Sequence, residues 1–279
     1  MGTMLLRRGL KPGECPERLN LERSEILEEI ASLYLAAGAE ILQTNTFGGS
    51  PLKLAPYGLD DRTEEINARA VRAARNVAGN RAYLYGSCGP SGRILEPYGD
   101  ATEEEVFESF RRQMTTLINE GVDMICIETM TDLAEATLAI KAAKAVESTI
   151  PICASMTFDE TPAGFFTLMG TSIDQAIEGL CRAGADIVGS NCGNGILKMV
   201  KIAKEFVRRT AMPIVIQSNA GIPKLKDGTS LYPDTPEYMA DQSRPLLEIG
   251  VKLIGGCCGT TPEHIAALRQ TVNQVAPKR

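Results

Sequence analysis

Thr102–Glu128, reading TEEEVFESFRRQMTTLINEGVDMICIE, carries a helix, a joint and a strand in one uninterrupted run. Thr102 and Glu105 stand at capping-box spacing, and Val106, Phe110, Met114, Leu117 and Ile118 then recur at the helical period. Gly121 supplies the left-handed residue just past a helix end. The run after it, from Val122, is short and apolar with little alternation, as a strand covered on both faces requires. The same joint recurs at Gly38-Ala39-Glu40-Ile41-Leu42, Gly184-Ala185-Asp186-Ile187-Val188 and Gly250-Val251-Lys252-Leu253-Ile254.

Working outward, two more strands follow prolines, at Pro151–Met156 and Pro213–Gln217, and another reads Ala82–Gly86, which makes seven. Helical periodicity covers 22–37, 62–78, 103–120, 132–147, 172–183, 194–210, 236–249 and 262–275, which makes eight. Alternating parallel-type strands and helices over this length predict a (β/α)8 barrel of the TIM type. A doubly wound nucleotide fold is disfavoured, because no glycine fingerprint follows any strand. The helix at 22–37 has no strand ahead of it, so the barrel lacks or replaces its first strand. No low-complexity tract divides 1–279, so a single domain is expected, with a long excursion from Gly221 to Pro236 after a strand.

Composition narrows the chemistry. With 29 Lys+Arg against 35 Asp+Glu the net charge is −6, and no basic block exists to neutralise a phosphate backbone, so no nucleic-acid partner is expected. No apolar run approaches the roughly 18 residues that cross a bilayer, and no signal-peptide core opens the chain, so no membrane association is expected and the protein is placed in the cytoplasm. Eight cysteines are too sparse for a disulfide scaffold, which suits a reducing compartment. The single histidine, His264, reads as an exposed first-turn residue, so a serine triad or a histidine-based zinc site has almost nothing to draw on. Any metal must be bound by sulfur.

Strand carboxyl ends meet at one mouth of a barrel, so their terminal residues become neighbours. Asn45, Ser87, Glu128, Asn191, Cys192, Asn219, Cys257 and Cys258 stand at such ends. Cys192 lies in Gly189-Ser190-Asn191-Cys192-Gly193-Asn194-Gly195, and the vicinal pair lies in Gly255-Gly256-Cys257-Cys258-Gly259. Three thiolates with one open position describe a zinc site built for catalysis. A redox-active vicinal pair and inert packing are the alternatives. Cys126, Cys153 and Cys181 read as buried packing thiols, Cys15 as an exposed loop thiol, and Cys88 as packing or site lining.

The run Gly255–Ile265 with Cys192 upstream resembles the homocysteine S-methyltransferase family, closest to the homocysteine-binding barrel of its cobalamin-dependent branch. Gln43–Phe47, Gly89–Gly92, Glu128-Thr129 and Ser218–Gly221 match in order, so the resemblance covers nearly the whole chain. It implies that Cys192, Cys257 and Cys258 hold Zn²⁺, that the thiolate of homocysteine completes the coordination, and that Asn219 fills the fourth position when substrate is absent. Glu128 would receive the substrate ammonium, with Asn45 and Ser87 as further substrate contacts. The activity implied is methyl transfer to homocysteine, giving methionine, with methylcobalamin supplied by a separate corrinoid-binding protein. A sulfonium donor is the alternative; betaine is disfavoured, because Trp is absent and Gly48 follows Phe47 where the betaine-using branch carries a tyrosine. Three thiolates leave the site at formal charge −1 before the substrate arrives, so the substrate sulfur stays nucleophilic without a general base.

The resemblance also exposes a departure. The family's first strand ends in an Asp-Gly motif leading into the Gly2-Thr3 of this chain, and the Asp is absent. A start set too late, completion by a neighbouring subunit in a homo-oligomer, and a divergent protein with another thiol acceptor are the three readings. A non-catalytic zinc-holding barrel is the rival from outside catalysis.

Overall fold

A computed structural model describes residues 1–226 and 229–275. Its strands are β1 (Ile41–Gln43), β2 (Tyr83–Cys88), β3 (Met124–Met130), β4 (Ile152–Met156), β5 (Asp159–Thr161), β6 (Gly164–Phe166), β7 (Ile187–Gly195), β8 (Ile214–Asn219), β9 (Lys224–Lys226), β10 (Thr229–Leu231) and β11 (Leu253–Gly256). Its α-helices are α1 (Gly2–Leu6), α2 (Leu19–Glu22), α3 (Ser24–Ala36), α4 (Pro51–Leu54), α5 (Thr63–Ala78), α6 (Glu103–Asn119), α7 (Leu133–Val146), α8 (Ile173–Ala183), α9 (Ile196–Arg209), α10 (Pro236–Gln242), α11 (Arg244–Glu248) and α12 (Pro262–Val275).

The four glycine joints explain the alternation. Gly38, Gly121, Gly184 and Gly250 have φ of 91°, 85°, 111° and 92°, the left-handed turn that ends a helix and releases the chain into a strand. Thr102 and Glu105 form the expected capping box at the start of α6. Seven strands pair in parallel in the order β1-β2-β3-β4-β7-β8-β11, the curled sheet of a barrel. β1 and β11 end that order without pairing to each other, and among the described residues no strand stands between them. β4 is buried throughout, whereas every residue of β11 is only half-buried.

The main core fills the layer between sheet and helices, with Phe110, Met114, Leu117, Ile125, Ile127, Ile152 and Phe206 fully buried. A smaller cluster of Tyr85, Cys126, Cys153 and Val215 fills the barrel interior below the mouth. The amino-terminal segment runs along the open side, where Met4 and Leu5 of α1 pack on Ile26, Leu27 and Ile30 of α3. No helix among the described residues is long and apolar enough to cross a membrane.

Three local expectations are corrected. The helix expected over 236–249 is two, α10 and α11, because Pro245 lacks the N–H needed to continue the first through Ser243. The Gly221–Pro236 excursion contains the antiparallel pair β9–β10, and a second such pair, β5–β6, follows β4. Asp227 and Gly228, in that excursion, lie outside the described residues. His264 is buried rather than exposed: the Thr261 N–H donates to Nδ1 at 3.2 Å, which leaves the Nε2 proton for the Asp234 carbonyl at 3.0 Å. The histidine therefore closes the base of the excursion.

Candidate functional site

β8 lies between β7 and β11, so Cys192 near the end of β7 and Cys257-Cys258 just past β11 reach each other across one strand. The turn carrying the pair is knitted onto β8: Cys257 N–H donates to the Ser218 carbonyl at 2.7 Å and Ala220 N–H to the Cys258 carbonyl at 2.9 Å. Glycine is required in it twice. A Cβ on Gly256 would stand 2.3 Å from Thr260 Oγ1, and one on Gly259, whose φ is 81°, would stand 2.1 Å from the Tyr232 ring. The three sulfurs lie within 4.8 Å of one another, with Cys192 and Cys258 Sγ 3.8 Å apart. Tetrahedral zinc with Zn–S bonds of about 2.3 Å spaces its sulfurs about 3.8 Å apart. The donor set fits a thiophilic dication.

The electrostatics agree. Hydrogen bonds from Cys257, Cys258, the Gly193 N–H and Asn219 outweigh burial and lower the Cys192 thiol to about 3. Cys257 and Cys258 shift upward instead, mainly because their protons serve the Cys192 sulfur. The cluster thus loses one proton readily and retains the others until positive charge arrives. Asn219, at the end of β8, accepts the Cys258 N–H at 3.0 Å through Oδ1.

A cavity of about 530 Å³ opens beside the sulfurs and is also lined by Glu128, Ser87, Asn45, Thr129 and Phe47. It continues through the gap between β1 and β11 to Ile30 and Tyr34 of α3 and Leu268 of α12. Glu128 stands two residues before the end of β3 with its Oε1 accepting from Ser87 Oγ at 2.5 Å and Gln43 Nε2 at 3.1 Å. Oε2 has no hydrogen bond among the described residues. Burial raises the Glu128 carboxyl, and the Ser87 hydroxyl, the Met1 ammonium and Gln43 oppose that rise. The Asn45 amide donates to the Pro16 carbonyl and to Asn20 Oδ1, both at 2.8 Å, so only its oxygen is left for a ligand.

The remaining cysteines are elsewhere. Cys126 and Cys153 face each other in register on β3 and β4, fully buried. Cys88 is buried, 3.3 Å from Gln113 Oε1, and does not line the cavity. Cys181 is half-buried rather than buried. Cys15 is buried, not exposed; its thiol donates to Glu17 at 3.4 Å, and burial beside that carboxylate pushes it up to about 11. Glu17 itself was missed in the sequence. It lines the cavity mouth and accepts the Gly48 N–H at 2.6 Å, but it sits in a single 3₁₀ turn, Pro16–Arg18, too short to carry a periodic signal.

Comparison with known proteins follows this geometry. The family model of homocysteine S-methyltransferase matches residues 1–272. Methionine synthase of Mycobacterium tuberculosis is 30% identical over 272 residues, which cover 94% of this chain and 22% of the relative. Methionine synthase of Mycobacterium leprae is 30% identical over 269 residues, with 92% and 22% covered. The chain therefore spans about a fifth of the length of these relatives. The metallated form of the homocysteine methyltransferase MmuM from Escherichia coli superposes with a TM-score of 0.81 at 22% identity, covering 97% of this chain and 93% of that one. Its apo form superposes with a TM-score of 0.75 at 21% identity and the same coverage, and both likenesses show the barrel fold.

Proposed function

The chain belongs to the homocysteine S-methyltransferase family, and from that premise we propose that residues 1–279, acting as one homocysteine-binding barrel, transfer a methyl group from a methylcorrinoid protein to the thiolate of homocysteine, giving methionine. The observation that carries the reading is the convergence of Cys192, Cys257 and Cys258 beside a cavity that also holds a buried carboxylate.

Cys192, Cys257 and Cys258 would hold Zn²⁺, which supplies the positive charge that ionises all three and keeps an incoming thiol deprotonated at neutral pH. Asn219 keeps the Cys258 backbone in place, and the second lone pair of its oxygen is the protein group for a fourth position before substrate enters. Glu128 receives the substrate ammonium on Oε2, while Ser87 and Gln43 fix Oε1; Ser87 thus acts through Glu128. The Asn45 oxygen is a further polar contact for the amino-acid end.

The substrate sulfur gives its electron pair to the methyl carbon, the S–C bond forms as the methyl–cobalt bond breaks, and that second pair leaves with the corrinoid. The thiol proton departs to solvent before transfer. No imidazole is required, and His264 does not line the cavity. A macromolecular donor is supported by apolar side chains on the connections that leave β2, β6 and β8: Tyr98, Leu168 and, on β9, Leu225 are 83%, 80% and 78% exposed.

The test is methyl transfer to homocysteine with a methylcorrinoid protein in one arm and a methylsulfonium compound in the other, for the unaltered chain and Cys257→Ser. Transfer from the corrinoid alone, lost together with bound zinc in Cys257→Ser, is expected. Transfer only from the sulfonium replaces the donor, and full activity in Cys257→Ser removes the sulfur site from the reaction.

A further inference from the structure

Two residues other than glycine have positive φ among the described residues, Thr129 at 62° and Cys192 at 61°. Such conformations are strained for side chains other than glycine and persist only where surroundings impose them. Each coincides with a break in strand register: β3 slips against β4 between Ile127 and Met130, and β7 slips against β8 between Asn191 and Gly195. Bulges of this kind re-aim side chains at strand ends. Asn191 stands at the β7 break, next to Cys192, and its fully buried side chain reaches the β3 break at Thr129. Its Oδ1 accepts the Thr129 N–H at 2.7 Å and the Ser155 hydroxyl at 2.8 Å. Its Nδ2 donates to Thr129 Oγ1 at 2.7 Å and points at Cys257 Sγ at 3.8 Å.

The amide orientation is forced, because a backbone N–H can only donate. The atom facing Thr129 N must be oxygen, so the atom facing Cys257 must be the NH₂. One side chain therefore ties the ends of β3, β4 and β7 together, holds Thr129 in its strained conformation, and spends its last donor on a sulfur contributed by the turn after β11.

We propose that Asn191 is a positioning residue of the sulfur centre: it sets the Cys192 turn against the Cys257 sulfur so that the three sulfurs are assembled before a cation binds, and its N–H remains as a donor to the Cys257 thiolate afterwards. The proposal rests on reading the cysteines as a cation site. Residues that orient metal ligands in this way are worth about 10–100-fold in affinity.

Asn191→Asp separates the two duties. Both carboxylate oxygens accept, so the bonds from Thr129 N–H and Ser155 remain, and the Thr129 hydroxyl can turn its proton toward the second oxygen. Only the atom facing Cys257 changes, from donor to acceptor. Zn²⁺ affinity, measured by competition with a chromophoric chelator, is expected to fall about 10–100-fold in Asn191→Asp, with a shift in the thiolate-to-metal absorption of the Co²⁺-substituted protein. Ser155→Ala, which removes a clamp partner distant from sulfur, leaves both readouts unchanged. Asn191→Asp equal to the unaltered chain in affinity and spectrum, or Ser155→Ala equal to Asn191→Asp, overturns the proposal. If Asn191→Asp does not fold, Asn191→Ala is made in a Thr129→Gly background, where glycine accepts the positive φ unaided. The same loss relative to Thr129→Gly is expected, and equality overturns. No zinc binding by the unaltered chain defeats the cation-site reading itself and is distinguishable from either result.

Discussion

Two groups of cysteines sit on the same parallel sheet and are chemically opposite. Cys126 and Cys153 lie mid-strand on β3 and β4, fully buried against Tyr85 and Val215. Cys192, Cys257 and Cys258 lie at strand ends among glycines, beside a cavity. The Cys126 proton is held well above the usual thiol range by the hydrogen bond to Cys153 and by burial, whereas that of Cys192 is drawn down to about 3 by converging donors. Sequence neighbours decide which fate a thiol meets. Mid-strand, β-branched flanks seal it; at a strand end, glycines and bulges let backbone N–H groups and other sulfurs turn toward it.

The comparison breaks most sharply under removal of one sulfur. Cys257→Ser is expected to abolish zinc binding and methyl transfer, a larger loss than the roughly 10–100-fold of an outer-shell change, while Cys126→Ser keeps its zinc by elemental analysis. Alkylation of the metal-free protein comes next. An ordinary thiol near pKa 8.5 loses about tenfold in thiolate per pH unit below that value. Cys192, lowered to about 3, stays anionic as pH falls from 8 to 5, so peptide mapping after iodoacetamide should show its labelling nearly flat over that range. Cys126 should be unlabelled throughout; labelling of Cys192 that falls tenfold per unit would erase the distinction.

Glu128→Gln tests the cavity rather than the sulfurs. A charge-assisted hydrogen bond is worth about 1.5–3 kcal/mol, so KM for homocysteine should rise about 10–100-fold in steady-state assays, with kcat less affected. An unchanged KM would detach Glu128 from the substrate. The smallest effect belongs to the sealed pair. Cys153→Ser places a hydroxyl in an apolar interior at a cost of about 1–3 kcal/mol, seen as a lowered denaturation midpoint with methyl transfer unaltered.

Much of this division can be read from the chain. Glycine, a small apolar residue, a polar one and then two aliphatics mark helix ends because only glycine enters the left-handed turn without strain, and six of the seven strands follow from those joints and two prolines. The glycine-embedded cysteines are legible for the same reason, since glycines beside a thiol promise access rather than packing. Burial of isolated polar residues is not legible. His264 looks like a first-turn surface residue, and only the return of Asp234 over it, from a segment without periodicity, buries it. Cys15 is covered likewise by distant residues, Leu54, Leu59 and Ile66, and Glu17 by the Gly48 backbone. Asn191 stands in the motif without announcing its duty, because its partners Thr129, Ser155 and Cys257 come from two other strands and the turn after a third.

The central claim is that three sulfurs from β7 and the turn after β11 share one cation and leave room for a fourth. X-ray absorption at the zinc edge reads this directly: three sulfur neighbours are predicted without homocysteine and four after its addition, at about one zinc per chain. A sulfur count of two or fewer, or a count unmoved by saturating homocysteine, would contradict it.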